Sequence, residues 1–136
     1  MQNPYINYKQ TAVQTASPEK LLLMLYDGAI KFGHQACVAM EQKDLEASNK
    51  YLGKIQDIVS ELIVNLNMDY EISQNLYSIY EYINTRLVAA NIQKSPEPLL
   101  EVMGYLRELR ESFAQAAVIA SSQGTQGVNR TVNFEG

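Results

Sequence analysis

The residue types that could support catalysis or metal binding are few in this chain. It has one histidine, His34, and one cysteine, Cys37. A carboxylate-bridged metal site in a helical bundle uses Glu-x-x-His pairs on facing helices, but Lys31 stands three residues before the histidine. Gly28 and Gly33 lack the Lys-Ser/Thr pair of a phosphate-binding loop. We therefore expect no enzymatic activity, metal or cofactor, with His34 on a polar face and Cys37 as a small buried hydrophobe.

Composition and charge narrow the class of protein further. The chain has 136 residues, of which 46% are hydrophobic and 19% charged, and its net charge is −4. These values are typical of one soluble globular domain. No basic run could neutralise phosphates, so nucleic acid is not expected as a partner. The N-terminus lacks the order of a signal peptide and no apolar run has the length of a membrane span. The prediction is a cytoplasmic protein without membrane insertion.

A binding surface is better supported than a catalytic site. Scattered exposed hydrophobes are common, so chance exposure or packing at the edge of the core remains the alternative. However, six of the nine tyrosines lie between Tyr51 and Tyr105, and tyrosine provides the large contact area with a polar tip that interfaces favour. The residues predicted to form an outward binding groove are Ile58, Val64, Tyr70, Tyr77, Val88 and Ile92.

The element that organises the chain is the segment from Thr15 to Met40. Ser17 is a good N-cap and Pro18 suits the first helical position. Gly28 and Gly33 lie within the helical spacing and permit close approach of another backbone, either inside the bundle or from a partner. The predicted inner face consists of Leu22, Leu25, Tyr26, Ala29, Phe32, Gly33, Ala36 and Met40.

Three further segments repeat the helical spacing. Asp44 is the expected N-cap of the second, and Asn67 or Asp69 is expected to start the third. Tyr80 and Tyr82 are placed on the two shoulders of the third helix. The predicted inner faces are Leu45, Ser48, Leu52, Ile55, Val59, Leu62 and Leu66; then Ile72, Leu76, Ile79, Ile83, Leu87 and Ala90; then Leu99, Val102, Leu106, Leu109, Phe113, Ala117 and Ala120.

Short connections between long helices predict an all-α, antiparallel, up-down-up-down four-helix bundle. The two ends of the chain contain fewer apolar residues and are predicted to lie outside the bundle. The expected organisation is a short N-terminal arm (1–16), a bundle (17–121) with helices at about 18–40, 45–66, 70–92 and 96–121, and a flexible C-terminal tail (122–136).

Two interpretations of the N-terminal arm are open. It is either a frayed terminus or a segment in which Tyr5, Ile6 and Tyr8 lie on the bundle. A segment held by few contacts can be displaced, and a binding switch requires that property.

The first thirty residues also resemble a known family. Three features are similar to the start of the flagellar secretion chaperones that bind flagellin, the FliS family. They are the Tyr5 and Tyr8 pair, the approach Val13-x-Thr-Ala-Ser-Pro18 and the run Leu-Leu-Met-Leu-Tyr-Asp-Gly-Ala-Ile from Leu22 to Ile30. The helical pattern to about residue 120 fits the same family.

The resemblance implies a four-helix-bundle chaperone in the bacterial cytosol. Such a protein would bind the disordered C-terminal segment of flagellin, prevent its premature polymerisation and aid its delivery to the flagellar type III export gate. The alternatives are a structural bundle that self-associates, at least weakly, through the outward residues, and an enzyme or metal carrier.

Overall fold

Four α-helices account for nearly all of the chain that the structure describes. The computed structural model describes the backbone of residues 17–135 and the side chains of residues 17–122. No strand occurs within 17–135, which confirms the all-α prediction. The N-terminal arm lies outside the described residues. The helices are α1 (Pro18–Glu41), α2 (Leu45–Val64), α3 (Glu71–Gln93) and α4 (Pro96–Glu135).

The helices form an antiparallel bundle in which each packs against its neighbours in sequence. α1 packs against α2 and α4, and α3 packs against the same two helices, so α1 and α3 lie on a diagonal. α1 and α4 run in opposite directions. Tyr26 of α1 stacks on Phe113 of α4, whereas His34, which is later in α1, contacts Arg107, which is earlier in α4. Short connections leave no room for a crossover. The predicted four-helix bundle is therefore confirmed.

The predicted caps are partly correct. Ser17 Oγ accepts the Lys20 backbone N–H at 3.2 Å, and Asp44 Oδ1 accepts that of Ala47 at 3.0 Å. The residue predicted to start the third helix, Asn67 or Asp69, is wrong, because Tyr70 is the N-cap of α3 and makes no capping side-chain hydrogen bond. Asn67 instead accepts the Asp69 N–H at 3.1 Å, so its side chain closes the turn before the helix.

The face of α3 that is buried in the core differs from the predicted one. Tyr80 is buried although it was placed on a shoulder, while Ile72, predicted to face inward, is exposed in the first turn. Leu45 and Ala120 were also predicted inside and are exposed. Both lie at the ends of the packed region, where the facing helices offer little to cover them.

The fourth helix also departs from its predicted length. Its backbone continues to Glu135 instead of ending at 121. The flexibility of residues 122–136 stays a prediction.

A pair of tyrosines spans the diagonal of the core. The hydroxyls of Tyr26 in α1 and Tyr80 in α3 share a hydrogen bond, and both side chains are fully buried. Burial raises the pKa of each phenol above its ordinary value. The pair satisfies two polar groups that would be costly to bury alone, and it fixes the distance between two helices that share little other contact.

Replacing Gly33 by alanine should lower the free energy of unfolding. A Cβ atom at Gly33 would lie 2.8 Å from the Sδ atom of buried Met103 in α4, so the core would have to shift. At Gly53 in α2 a Cβ meets nothing within 4 Å, and Gly53→Ala should stabilise by up to ~1 kcal/mol through helix propensity. Urea unfolding of both variants tests this. Equal stabilisation by both would show that α1 and α4 are not in such close contact.

Candidate binding surface on α3

Four of the predicted groove residues line up on the outside of α3. Tyr77, Val88 and Ile92 fall within about 60° of one another at ~100° per residue, on the side away from buried Ile83 and Leu87, and exposed Tyr70 precedes them as the N-cap of α3. We call these four residues the α3 stripe. Its exposed fraction ranges from 37% for Tyr77 to 77% for Ile92. From Tyr77 to Ile92 the stripe extends about 22 Å along the helix.

The two other predicted residues lie elsewhere. Val64, the last residue of α2, is exposed near the start of α3 and can extend the stripe at that end. Ile58 is not part of it, because it packs against the core. Its Cδ1 atom lies 3.5 Å from where a Cβ on Gly28 would stand, which places it at the α1–α2 contact.

A groove between α2 and α3 runs beside the stripe. It is lined by Ile63, Glu81, Asn84, Thr85 and Val88, which we call the α2–α3 groove. Val88 belongs to both the groove and the stripe. An apolar ridge beside a groove with polar groups is a shape that suits an extended or helical segment.

Asn84 is the groove residue with an unused polar atom. Within the described residues, its Oδ1 atom is buried and has no hydrogen-bond partner. A buried acceptor without a donor carries a free-energy cost, which a donor on a bound segment would relieve. Asn84 was not among the groove residues predicted from the sequence. Its position between apolar outward residues was the signal that could have identified it.

Tyr77 is held in place on the surface. Its hydroxyl donates to Glu81 Oε1 at 2.8 Å, one helical turn along α3. That hydrogen bond raises the pKa of the Tyr77 phenol above its ordinary value. The side chain is thus partly ordered before any partner arrives, which lowers the entropic cost of binding.

The opposite edge of α3 is closed by polar contacts to α4. Tyr82 donates a hydrogen bond to Glu101, and Arg86 Nε lies 3.6 Å from the same carboxylate. Tyr105 packs edge-on against Tyr82, with ring centroids 5.9 Å apart. These contacts stabilise the α3–α4 seam, whereas the α2 side of the stripe remains open to a partner.

The candidate catalytic residues are dispersed. His34 is exposed, and its Nε2 atom is 3.4 Å from Arg107 Nη2. Cys37 is half-buried against the core, and burial is the main cause that raises the pKa of its thiol. Among the described residues no group of three or more histidine, cysteine or acidic side chains is arranged to hold a metal ion. None of the described helices is long and apolar enough to cross a membrane.

The described residues form an all-α four-helix bundle with an apolar stripe along one outer helix. The sequence of the chain also matches a known protein family. Residues 1–120 match the family model described as flagellar protein FliS. The chain belongs to the FliS family.

Curated relatives agree with that assignment. The flagellar secretion chaperone FliS of Bacillus subtilis (strain 168) is 43% identical over 116 residues, which are 85% of this chain and 87% of that protein. The protein of the same name from Salmonella typhimurium is 34% identical over 84% of this chain and 87% of its own length. The one from Vibrio cholerae is 32% identical over 79% and 84%.

Proposed function

We propose that this protein is a cytosolic export chaperone for flagellin. It binds the disordered C-terminal segment of flagellin, prevents its premature polymerisation and aids its delivery to the flagellar type III export gate. It acts by binding, without catalysis or a cofactor. Membership of the FliS family and the names of its relatives support this role.

The observation that carries the proposal is the α3 stripe beside the α2–α3 groove. Val88 and Ile92 expose apolar area that no described helix covers. A client segment that lays its own apolar side chains on the stripe removes both surfaces from water. Because ordering a disordered segment costs free energy, the contact has to be long. A stripe of about 22 Å between Tyr77 and Ile92 offers that length.

Asn84 gives the surface a polar anchor. Its unpaired Oδ1 atom can accept a backbone N–H of the client once the groove opens slightly. Buried amide groups that are paired on binding add specificity to an otherwise apolar contact. The client is thereby positioned as well as held.

Calorimetric titration of a peptide copy of a flagellin C-terminus into the full chain tests the proposal. We expect saturable 1:1 binding and a negative heat-capacity change, which is the sign of apolar burial. A scrambled peptide of the same composition is the control. A stable dimer by sedimentation that does not bind the peptide would instead favour the self-associating structural bundle.

We also propose that the N-terminal arm covers part of this surface when the client is absent. Tyr5, Ile6 and Tyr8 supply the apolar side chains for that contact. A covering arm reduces the fraction of protein that is competent to bind, and so weakens the apparent affinity.

Deletion of residues 1–12 is therefore expected to tighten client binding, or to leave it unchanged if the arm is displaced at little cost. Calorimetry on the truncated and full chains measures the difference, and circular dichroism checks that the bundle is folded. If a folded truncated protein no longer binds the client, the arm is a direct contact and not a cover.

A further inference from the structure

A cavity at one end of the bundle combines two lysines with a buried serine. The α1–α2 and α3–α4 connections lie together at this end. The cavity has a volume of about 350 Å³ and is lined by Met40, Lys43, Leu45, Ser48 and Lys94. Its lining therefore combines two apolar residues, two cationic residues and one hydroxyl.

Ser48 is the unsatisfied group in this cavity. Its side chain is fully buried, and within the described residues its Oγ atom has no hydrogen-bond partner. A hydroxyl can donate one hydrogen bond and accept others, and burying it unpaired is unfavourable. A ligand atom that accepts from Ser48 would satisfy it.

The two lysines occupy backbone positions that usually favour glycine. Lys43 has φ 57° and Lys94 has φ 52°, both in the left-handed region. Glycine or asparagine is the usual residue at such helix ends, so each connection carries a lysine in spite of its conformational cost. The ammonium groups therefore add positive charge at the same end of the bundle.

Lys94 is oriented by a chain of hydrogen bonds across the α2–α3 interface. Its Nζ atom donates to Asn91 Oδ1 at 2.7 Å, and Asn91 Nδ2 donates to Asn49 Oδ1 at 2.9 Å. The ammonium group is thus held near the contact between α2 and α3. Ile92, the last residue of the stripe, lies two positions before Lys94.

We propose that this cavity binds the α-carboxylate at the chain end of the client. The inference rests on the proposed function and deepens it by naming the atom group that is recognised and the direction of the bound segment. Lys43 and Lys94 pair with the carboxylate, Ser48 donates a hydrogen bond to it, and Met40 with Leu45 contacts the last side chain. The client then runs along α3 from Tyr70 towards Ile92, with its C-terminus at the cavity.

The positive charges of Lys43 and Lys94 favour a carboxylate as the ligand. A carboxylate between two ammonium groups forms charge-assisted hydrogen bonds, which are stronger than neutral ones. The nearest acid in the α1–α2 connection, Asp44, already directs Oδ1 to the Ala47 N–H at 3.0 Å. Asp44 keeps its negative charge while it caps α2, so the two lysine charges have to outweigh it when a carboxylate binds.

The test compares two copies of the same flagellin C-terminal peptide, one with a free carboxylate and one ending in an amide. Each is titrated by calorimetry into the full-length protein. We expect the acid to bind about ten-fold more tightly than the amide, as charge-assisted contacts predict. In the Lys43→Met/Lys94→Met variant this preference should be lost, and Ser48→Ala should reduce it.

Lys31→Met is the matched control, since it removes a positive charge from an exposed position of α1, diagonally opposite α3. It should keep the preference for the acid. Equal binding of acid and amide by the wild-type protein would overturn this inference and leave the proposed function intact. A preference that survives in the double lysine variant would also overturn it. Failure of both peptides to bind would contradict the proposed function itself.

Discussion

Replacing Tyr77 and Val88 together by glutamate is expected to weaken binding of the flagellin C-terminal segment by more than about ten-fold. Both side chains belong to the exposed α3 stripe, so the substitutions place two charges where the client buries apolar surface. A buried charge without a partner is strongly unfavourable. The new carboxylates would also stand close to Glu81, which already accepts a hydrogen bond from Tyr77. Calorimetric titration of the peptide gives the affinity directly.

A control with two glutamate substitutions is available on α4. Val118 and Ile119 are also exposed but lie outside the stripe. Val118→Glu/Ile119→Glu should leave the affinity within about two-fold of the wild type, since surface changes away from the contact have small effects. Circular dichroism should show full helicity for both double variants. If the stripe variant binds as tightly as the wild type, the client binds elsewhere.

The largest expected effect on stability comes from the Tyr26–Tyr80 pair. Tyr26→Phe leaves the Tyr80 hydroxyl buried without its partner, and should lower the free energy of unfolding by about 1–3 kcal/mol. Tyr80→Phe should do the same to Tyr26. The double Phe variant removes both polar groups and should recover most of that loss, giving a coupling energy in a double-mutant cycle. Additive single effects would show that the hydrogen bond contributes little.

The same pair predicts how stability depends on pH. Burial raises the pKa of both phenols above their value in the unfolded chain, which is near 10. The stability contributed is fully present below about pH 10 and is lost as the pH rises above it, because only the unfolded chain releases these protons. Urea unfolding between about pH 8 and 11 should show this decline, with a shallower slope for the double Phe variant than for the wild type. Identical slopes would show that these two phenols ionise equally in both states.

The sequence predicts those parts of the fold that depend on local chemistry. Ser17 and Asp44 were recognised as N-caps because their side chains act on backbone groups only three residues away. The inner face of α2 was predicted well in its middle, where Ser48 and Leu52 repeat with clear helical spacing and are buried. Local signals of this kind need no knowledge of the neighbouring helices.

The errors occur where packing against neighbouring helices determines which side chains are buried. α3 has apolar residues on several sides, so its spacing alone cannot distinguish Ile72 from Tyr80 as the core residue. Tyr80 is buried because Tyr26, on the diagonal helix, provides a hydrogen-bond partner for its hydroxyl. Ile72 is exposed because it lies in the first turn, where the core has ended.

The candidate surface was predicted on one helix and missed on the other. Spacing alone places Tyr77, Val88 and Ile92 on the same side of α3. Ile58 was predicted to face outward as a groove residue, whereas its side chain packs against the core beside Gly28 of α1. Asn84 and Ile63 line the groove through a contact between helices that only the folded chain reveals.

Site-specific photocrosslinking tests the central proposal most directly. A benzoylphenylalanine placed at position 88 of the full chain should crosslink to a flagellin C-terminal peptide on irradiation, and the same group at position 31 should not. Excess unlabelled peptide should abolish the product at position 88. A crosslink at position 31 with none at position 88 would contradict the account, because the client would then lie on the opposite side of the bundle from the α3 stripe.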